Sequence, residues 1–153
     1  MTQQQALASA FPAGTKVERQ THFLTPEQLA SAKNESGVEF SDRMIVRYAG
    51  VAGGSVAGYA YFDTHRVRTV AETVMIVVSP EGKIQKIDIL SFDEPPEYLP
   101  KPRWIDQLRG RKLDDDLSLK RSIRPISGAS LSGRAIVNAS RKILALHRAI
   151  GGR

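Results

Sequence analysis

Three serines and a glycine stand together at residues 127–132, which read Ser127-Gly128-Ala129-Ser130-Leu131-Ser132, directly before a helical pattern. The first N–H groups of a helix have no partner within it, and the helix dipole is positive at that end. Such a start therefore suits a phosphate or a carboxylate, and the glycine lets the backbone approach a ligand closely. The alternative is a helix start capped by Ser127 or Ser130 with no ligand.

The helix that would present this segment has the clearest pattern in the chain. Apolar residues recur at steps of three and four along it, at Ile136, Ala139, Ile143, Leu146 and Ile150. This spacing places them on one face and predicts a long C-terminal helix that packs against a core. Glycines at 151 and 152 end the pattern.

The elements before that helix predict a sheet. Residues 16–24 favour a first strand, and further strands are expected near 43–49, 55–63, 72–78 and 83–92. Short connections between the later strands favour antiparallel neighbours. Helices are expected over 2–10, over 25–34 from a Thr25 capping box, and briefly around 104–108. We therefore predict an α+β fold in a single domain over 1–153, with an antiparallel sheet of about four to five strands, packed helices and the long C-terminal helix.

The serine-rich segment resembles a known motif. Ser-Gly-Ala-Ser-Leu-Ser is similar to the Ser/Thr-Gly-Ala-Thr-x-Thr/Ser motif of the FMN-binding domain family, found in the G subunit of the Rnf complex and the C subunit of the sodium-pumping NADH:quinone oxidoreductase. In that family a flavin transferase esterifies the FMN phosphate to the hydroxyl at the position of Ser130. The resemblance implies FMN as the cofactor and a binding segment formed by Ser127, Gly128, Ala129, Ser130, Leu131 and Ser132.

A second match lies upstream and extends the resemblance over roughly residues 43–150. The predicted strand over 82–92 runs into Asp93-Glu94-Pro95-Pro96-Glu97, which resembles the strand and Glu-Thr-Pro loop that lie beside the flavin in the family. The resemblance implies that Glu94 contacts the flavin. Tyr98 and Trp104 are expected either to wall the isoalloxazine ring or to anchor the core.

Two positions depart from the family pattern. Ser130 replaces the usual threonine and keeps the hydroxyl that a phosphoester needs. Arg124 stands where the transferase signature has an aspartate six residues before the acceptor. We expect either covalent FMN through Ser130 or non-covalent FMN whose phosphate Arg124 contacts through a charge-assisted hydrogen bond.

The resemblance implies an electron-transfer component rather than a stand-alone enzyme, since the residues show no general acid or nucleophile. Its partners would be a redox protein, possibly membrane-bound, and the flavin transferase. The alternative is a binding or sensory module of the same fold with little or no flavin. The location of relatives implies an extracytoplasmic site, whereas the N-terminus fits a cytosolic protein or one whose leader has been removed.

Composition excludes several other classes. Without cysteine the chain forms no disulfide, thiolate metal site or iron–sulfur cluster. The formal net charge is +6, but the basic residues are spread out and do not alternate with aromatic residues, so nucleic-acid binding is not expected. No apolar run is long enough for a membrane span.

The remaining polar groups are assigned to ordinary surface. The stretch from His65 to Thr69 is expected to form a solvated turn, with contact to the flavin phosphate or to a partner as the alternative. His22 and His147 lie apart on unrelated elements and do not suggest a metal site. Aspartates 114–116 lack the ligand spacing of a calcium loop and are expected to be solvated.

Overall fold

The computed structural model of the chain describes residues 1–67, 70–92, 100–118 and 130–151. In chain order these ranges contain α1 (Gln3–Ala10), β1 (Lys16–Phe23), α2 (Pro26–Ser36), β2 (Met44–Ala52), β3 (Ser55–Val67), β4 (Val70–Val78), β5 (Ile84–Phe92), α3 (Pro102–Ile105), a 3-10 turn (Asp106–Leu108) and α4 (Ser130–Ala149). The predicted α+β class and the long C-terminal helix are confirmed.

The strands form one antiparallel meander in the order β1-β2-β3-β4-β5. Five strands agree with the predicted number. β3 is longer than predicted, because it continues to Val67 rather than ending near residue 63. The expectation of a solvated turn that begins at His65 is therefore wrong, since His65 pairs with Glu72 across the β3–β4 ladder.

Local sequence sets the ends of the first two helices. Thr25 accepts a hydrogen bond from the Gln28 backbone N–H, while the Gln28 side chain accepts one from the Thr25 N–H, which is the predicted capping box. Gly37 ends α2 in the left-handed conformation with a φ of 71°. Thr2 and Gln5 form an equivalent box at the start of α1.

The two faces of the sheet are covered differently. On one face, here called the α4 face, α2, α3 and α4 enclose the main core, in which Ile76, Ile84, Leu108 and Ile136 are fully buried. The opposite face, called the α1 face, is covered by α1 and Phe11 around a smaller core. Burial of apolar surface on both faces stabilises the sheet, with most of it on the α4 face.

Arg141 holds α4 against its neighbours. Its guanidinium donates to the carbonyl oxygens of Ser36 and Asp114, both at 2.7 Å, and of Leu117 at 3.1 Å. Gln28 adds a bond from its side-chain amide to the carbonyl of Ala149 at 3.0 Å. The arginine therefore satisfies carbonyls at the end of α2 and in the loop before α4, which fixes where α4 lies.

The α1 face contains a close contact between an aromatic ring and two glycines. The Phe11 ring lies over Gly50, where an added Cβ would come 2.6 Å from Cδ1 of the ring. At Gly58 an added Cβ would meet Oε1 of Gln85 at 2.7 Å. The absence of side chains at these two strand positions is what lets Phe11 close this end of the smaller core.

The contact predicts a strong coupling between Phe11 and Gly50. Gly50→Ala should lower the free energy of unfolding by about 1–3 kcal/mol, because the methyl group overlaps the ring. In a Phe11→Ala background the same change should cost little, since the overlap is gone. Urea unfolding of the four proteins measures this, and equal costs in both backgrounds would show that the ring does not occupy the space above Gly50.

Candidate functional site

The direction of α4 across the sheet decides which end of the molecule its start occupies. Near the end of α4, Nδ1 of His147 lies 2.7 Å from the hydroxyl of Tyr61 on β3. Further back along α4, Nζ of Lys142 lies 2.9 Å from Oδ1 of Asp63. The later residue of α4 contacts the earlier residue of β3, and the earlier residue of α4 contacts the later one, so α4 runs antiparallel to β3. Its first turns therefore lie toward the end of β3 at Val67.

The same end of the sheet is where β5 ends. β3 and β4 meet in a hairpin there, and Phe92, the last residue of β5, pairs with Glu72 near the start of β4. The chain thus leaves β5 toward Glu94 at the end of the sheet to which the start of α4 points. Two parts of the predicted site, far apart in sequence, are attached to elements that meet at this end.

The first turns of α4 are packed into the protein on one side. Ser132 is 2% exposed, the neighbouring Gly133 is buried, and Ile136 lies in the main core. The first turn contains no acidic residue that would repel an anion at this end. The helix has 20 residues, long enough for its aligned peptide dipoles to act fully at the N-terminus.

A chain of charged groups runs beneath α4 toward this end. Lys142 bridges Asp63 and Asp42, with Nζ–Oδ distances of 2.9 and 3.2 Å. His65 in turn bridges two carboxylates, since Nδ1 lies 2.9 Å from Asp63 and Nε2 lies 2.6 Å from Glu72. We call these five residues the charge chain. It links α4 to β3 and β4 through groups that are mostly buried.

The ionisation of the charge chain follows from these contacts. Burial by itself would lower the pKa of His65, but the hydrogen bonds to Asp63 and Glu72 and their negative charges outweigh it and raise the pKa to about 9. Burial would likewise lower the pKa of Lys142, and the charge of Asp63 reverses the direction. For Asp63, burial raises the pKa, but His65 and Lys142 together bring it below its ordinary value. The imidazole is therefore cationic at neutral pH.

Glu72 has one acceptor that the charge chain does not use. The residue is fully buried, and among the described residues no donor reaches its Oε2 atom. Oε1 is held by His65. A buried carboxylate oxygen without a donor is costly, so this group is stabilised mainly by the cationic imidazole beside it.

A cavity of about 200 Å³ adjoins the charge chain. Asp63, His65 and Lys142 line it together with Phe40 and with Ala135 from the first half of α4. A larger cavity of about 300 Å³ lies along the outer edge of β5 and has no lining residue from α4. The smaller cavity is thus the one that lies beside the helix whose start carries the serine motif.

Comparison with known families bears directly on this end of the molecule. Residues 71–145 match the family model of the FMN-binding domain. The match supports the FMN-binding domain family for this part of the chain. The match begins in β4 and ends in α4, so it includes both Glu94 and the serine motif. The resemblance read from the serine motif is confirmed at the level of the family. Comparison with curated proteins gives no match.

Some of the predicted site residues lie within the described part of the chain, and others lie outside it. Glu94, Tyr98, Arg124, Ser127, Gly128 and Ala129 lie outside the described residues. Ser130 and Leu131 form the first turn of α4, but their side chains are likewise outside the description. Ser132, in the same turn, is buried. Trp104 is 8% exposed and packs in the main core, so of its two expected roles the structure shows the core anchor.

The sequence did not predict the charge chain. Tyr61, Asp63, His65 and Val67 alternate along β3 and all face α4. Had the strand been extended past residue 63, this period of two would have placed Asp63 and His65 on the buried face. The sequence predicted a turn from His65 onward instead, because the mostly polar run His65-Arg66-Val67-Arg68 resembles exposed chain. The alternation along β3 was therefore not followed past residue 63.

The described residues meet neither the requirements of a metal site nor those of a membrane-spanning helix. Within residues 1–67, 70–92, 100–118 and 130–151, no group of three or more His, Asp or Glu side chains is arranged to hold a metal ion. His22 lies on β1, while His147 is fully buried on α4. None of the helices in these ranges is both long and apolar enough to cross a membrane.

The raised pKa of His65 predicts that the protein loses stability at alkaline pH. Because its pKa in the folded protein is raised to about 9, its stabilising effect is complete below the unfolded value of 6.5 and is lost as the pH rises through 9. The free energy of unfolding should fall over this interval in the wild type. It should fall less in His65→Gln, which carries no proton to lose.

Urea unfolding from pH 6 to 10, as a rough working range for this titration, measures the effect. His22→Gln is the matched control, because burial and the charge of Arg47 lower the pKa of His22, so its titration lies on the acidic side. Identical alkaline slopes for wild type and His65→Gln would contradict the assignment of a cationic His65.

Proposed function

We propose that the protein is an electron-transfer flavoprotein that holds one FMN with its phosphate at the start of α4. The carrying observation is the antiparallel packing of α4 on β3. It brings the helix start to the end of the sheet where the chain leaves β5 toward Glu94. The family match supports FMN as the ligand.

The start of α4 fits a phosphate group. The helix begins at Ser130 and has no acidic residue in its first turn, so its free N–H groups and positive dipole end are not neutralised by a neighbouring carboxylate. Ser127 and Ser130 would add hydroxyl donors, and Gly128 would let the backbone come close to the phosphate. Leu131 and the buried Ser132 would hold the turn against the core beneath it.

The isoalloxazine ring would extend toward the stretch that follows β5. The resemblance assigns a ring contact to Glu94, and Tyr98 lies in the same stretch of sequence. Trp104 would act from behind this site, since its indole is buried in the main core. It would support the segment that carries the contact residues rather than touch the ring.

FMN, when bound, supplies the reversible uptake of electrons, and the protein sets its position, its exposure and the charge around it. The contribution of this chain is electrostatic. Arg124 would donate to the phosphate. His65 and Lys142 keep the buried carboxylates of the charge chain compensated beneath α4, so that these negative charges do not oppose an anion at the helix start.

The proposal includes the partners implied by the resemblance. A redox protein, soluble or membrane-bound, would exchange electrons with the flavin, and a flavin transferase would attach FMN to Ser130. Such a protein would work outside the cytoplasm, as the resemblance implies. The electron-transfer component would not be an enzyme on its own.

The position of Arg124 favours a second candidate, a binding or sensory module of the same fold with weak or no flavin. Arg124 replaces the acidic residue of the transferase signature, and this reversal of charge weakens recognition by the attaching enzyme. Colour separates the two candidates. Protein purified from a host with flavin and transferase should be yellow if it carries electrons and colourless if it is such a module.

Attachment is tested at Ser130. Intact mass after denaturation should show wild type heavier by one FMN moiety, because a phosphoester survives unfolding whereas a bound flavin is released. Ser130→Ala should lose this added mass, and Ser127→Ala should keep it as the matched control. Flavin that remains on denatured Ser130→Ala would show that another residue is the acceptor.

Complete release of flavin from denatured wild type would contradict the covalent link while leaving FMN binding in place. Arg124→Ala should then retain less FMN than wild type through gel filtration, since the phosphate loses a charge-assisted contact. Colourless wild-type protein from the same host would contradict the function itself.

A further inference from the structure

The exposed large apolar side chains of the described residues all lie on one side of the molecule. Phe23 is 74% exposed, Met44 is 56% exposed and Val17 is 38% exposed, and each points out of the α1 face. Met1, at 61%, precedes α1 on the same face, and its amine contacts the carbonyl of Leu90. Exposed apolar groups gathered on one face mark an interaction surface more often than single scattered ones do.

The α1 face is only partly covered. α1 and Phe11 pack on Ala60, Met75 and Val77, which leaves the part of β1 and β2 around Phe23 and Met44 without a covering element among the described residues. These two residues are direct partners across the β1–β2 ladder. They form the apolar centre of the open part.

The charges on this face favour an anionic partner. α1 contains no charged residue. In the strands, Arg19 and Lys86 point toward this face, and Arg19 is exposed. The one carboxylate at a described strand position of this face is Asp88, which lies 3.2 Å from the ammonium of Lys86 as an ion pair without hydrogen-bond alignment. Among the described residues, the α1 face is therefore apolar, and Arg19 is an exposed cation on it outside that ion pair.

The layout suits a broad surface rather than a small protein epitope. Phe23 and Val17 stand six residues apart on β1, which is roughly 20 Å along a strand. Protein interfaces usually centre on a packed apolar cluster with pockets for anchor residues. Here the exposed apolar groups are spread along the strands, with the pair Phe23 and Met44 at one end and Val17 at the other. Arg19 lies between them on β1, as in proteins that insert side chains into the boundary of an anionic bilayer.

We propose that the α1 face binds the surface of an anionic lipid bilayer, with Phe23 and Met44 inserted among the acyl chains and Arg19 at the headgroups. Met44 lies at the start of β2, at the end of the sheet where β3 ends. The start of α4 lies at this same end, so it would be near the bilayer when Phe23 and Met44 insert. The inference stands on the α1 face alone and does not depend on the bound cofactor.

Vesicle co-sedimentation of the full chain tests this surface. One set of vesicles contains phosphatidylcholine alone, and the other also contains phosphatidylglycerol. Wild type should bind the anionic vesicles, should bind them less at high salt, and should bind the neutral ones poorly. Phe23→Ser/Met44→Ser should lower the partition coefficient about tenfold, since two exposed apolar groups no longer leave water.

Charge variants separate a local surface from general attraction by a basic protein. Arg19→Gln should lower anionic binding about fivefold. Arg148→Gln removes the same charge from the opposite side of the molecule, on α4, where Arg148 pairs with Glu35 at 2.9 Å. It should leave the partition unchanged. Circular dichroism checks that each variant is folded, which the exposure of the altered side chains favours.

Three results would overturn the proposal. The first is no binding of wild type to anionic vesicles at low salt. The second is equal loss in Arg19→Gln and Arg148→Gln with no loss in Phe23→Ser/Met44→Ser, which would assign binding to net charge. The third is a wild-type dimer in analytical ultracentrifugation that Phe23→Ser/Met44→Ser dissociates, which would assign the face to a second copy or another protein.

Discussion

Lys142 of α4 contacts Asp63 of β3, and His147 contacts Tyr61; together these two contacts fix the direction in which the long helix crosses the sheet. Because a helix exposes unpaired N–H groups at one end only, the direction of α4 also decides where an anion can bind. Reversing it would carry the serine motif to the opposite end of the sheet, away from the exit of β5. His65 and Glu72 extend the contact, and Arg141 secures α4 from the other side.

The two faces of the sheet differ in how much core they cover and in which charged groups they hold. The α4 face holds the main core and the charge chain, whose buried carboxylates are compensated by His65 and Lys142. The α1 face is thin, closed by Phe11 and a short uncharged helix, and leaves Phe23 and Met44 in solvent. The proposed cofactor site at the start of α4 and the proposed contact surface on the α1 face are physically compatible, since they use different residues.

The sequence predicted the elements better than the buried polar contacts. The spacing of Ile136, Ala139, Ile143 and Leu146 correctly indicated α4, and Thr25 with Gln28 correctly indicated a capped α2. The charge chain escaped prediction because a histidine near arginines has no local signal of burial. Its burial follows from the ladder between β3 and β4, which pairs residues by register and not by pattern. The serine motif indicated the family, but no residue pattern gives the direction of α4 relative to β3, since that direction depends on tertiary packing.

The most direct test is a crystal structure of the flavin-loaded protein. The account predicts an FMN phosphate within hydrogen-bond distance of the backbone N–H groups at the start of α4, with the ring directed toward the stretch after β5. A phosphate bound elsewhere, for example in the cavity along the outer edge of β5 between Ile87 and Arg109, would contradict it. The direction of α4 would then be a feature of the fold without a role in holding the cofactor.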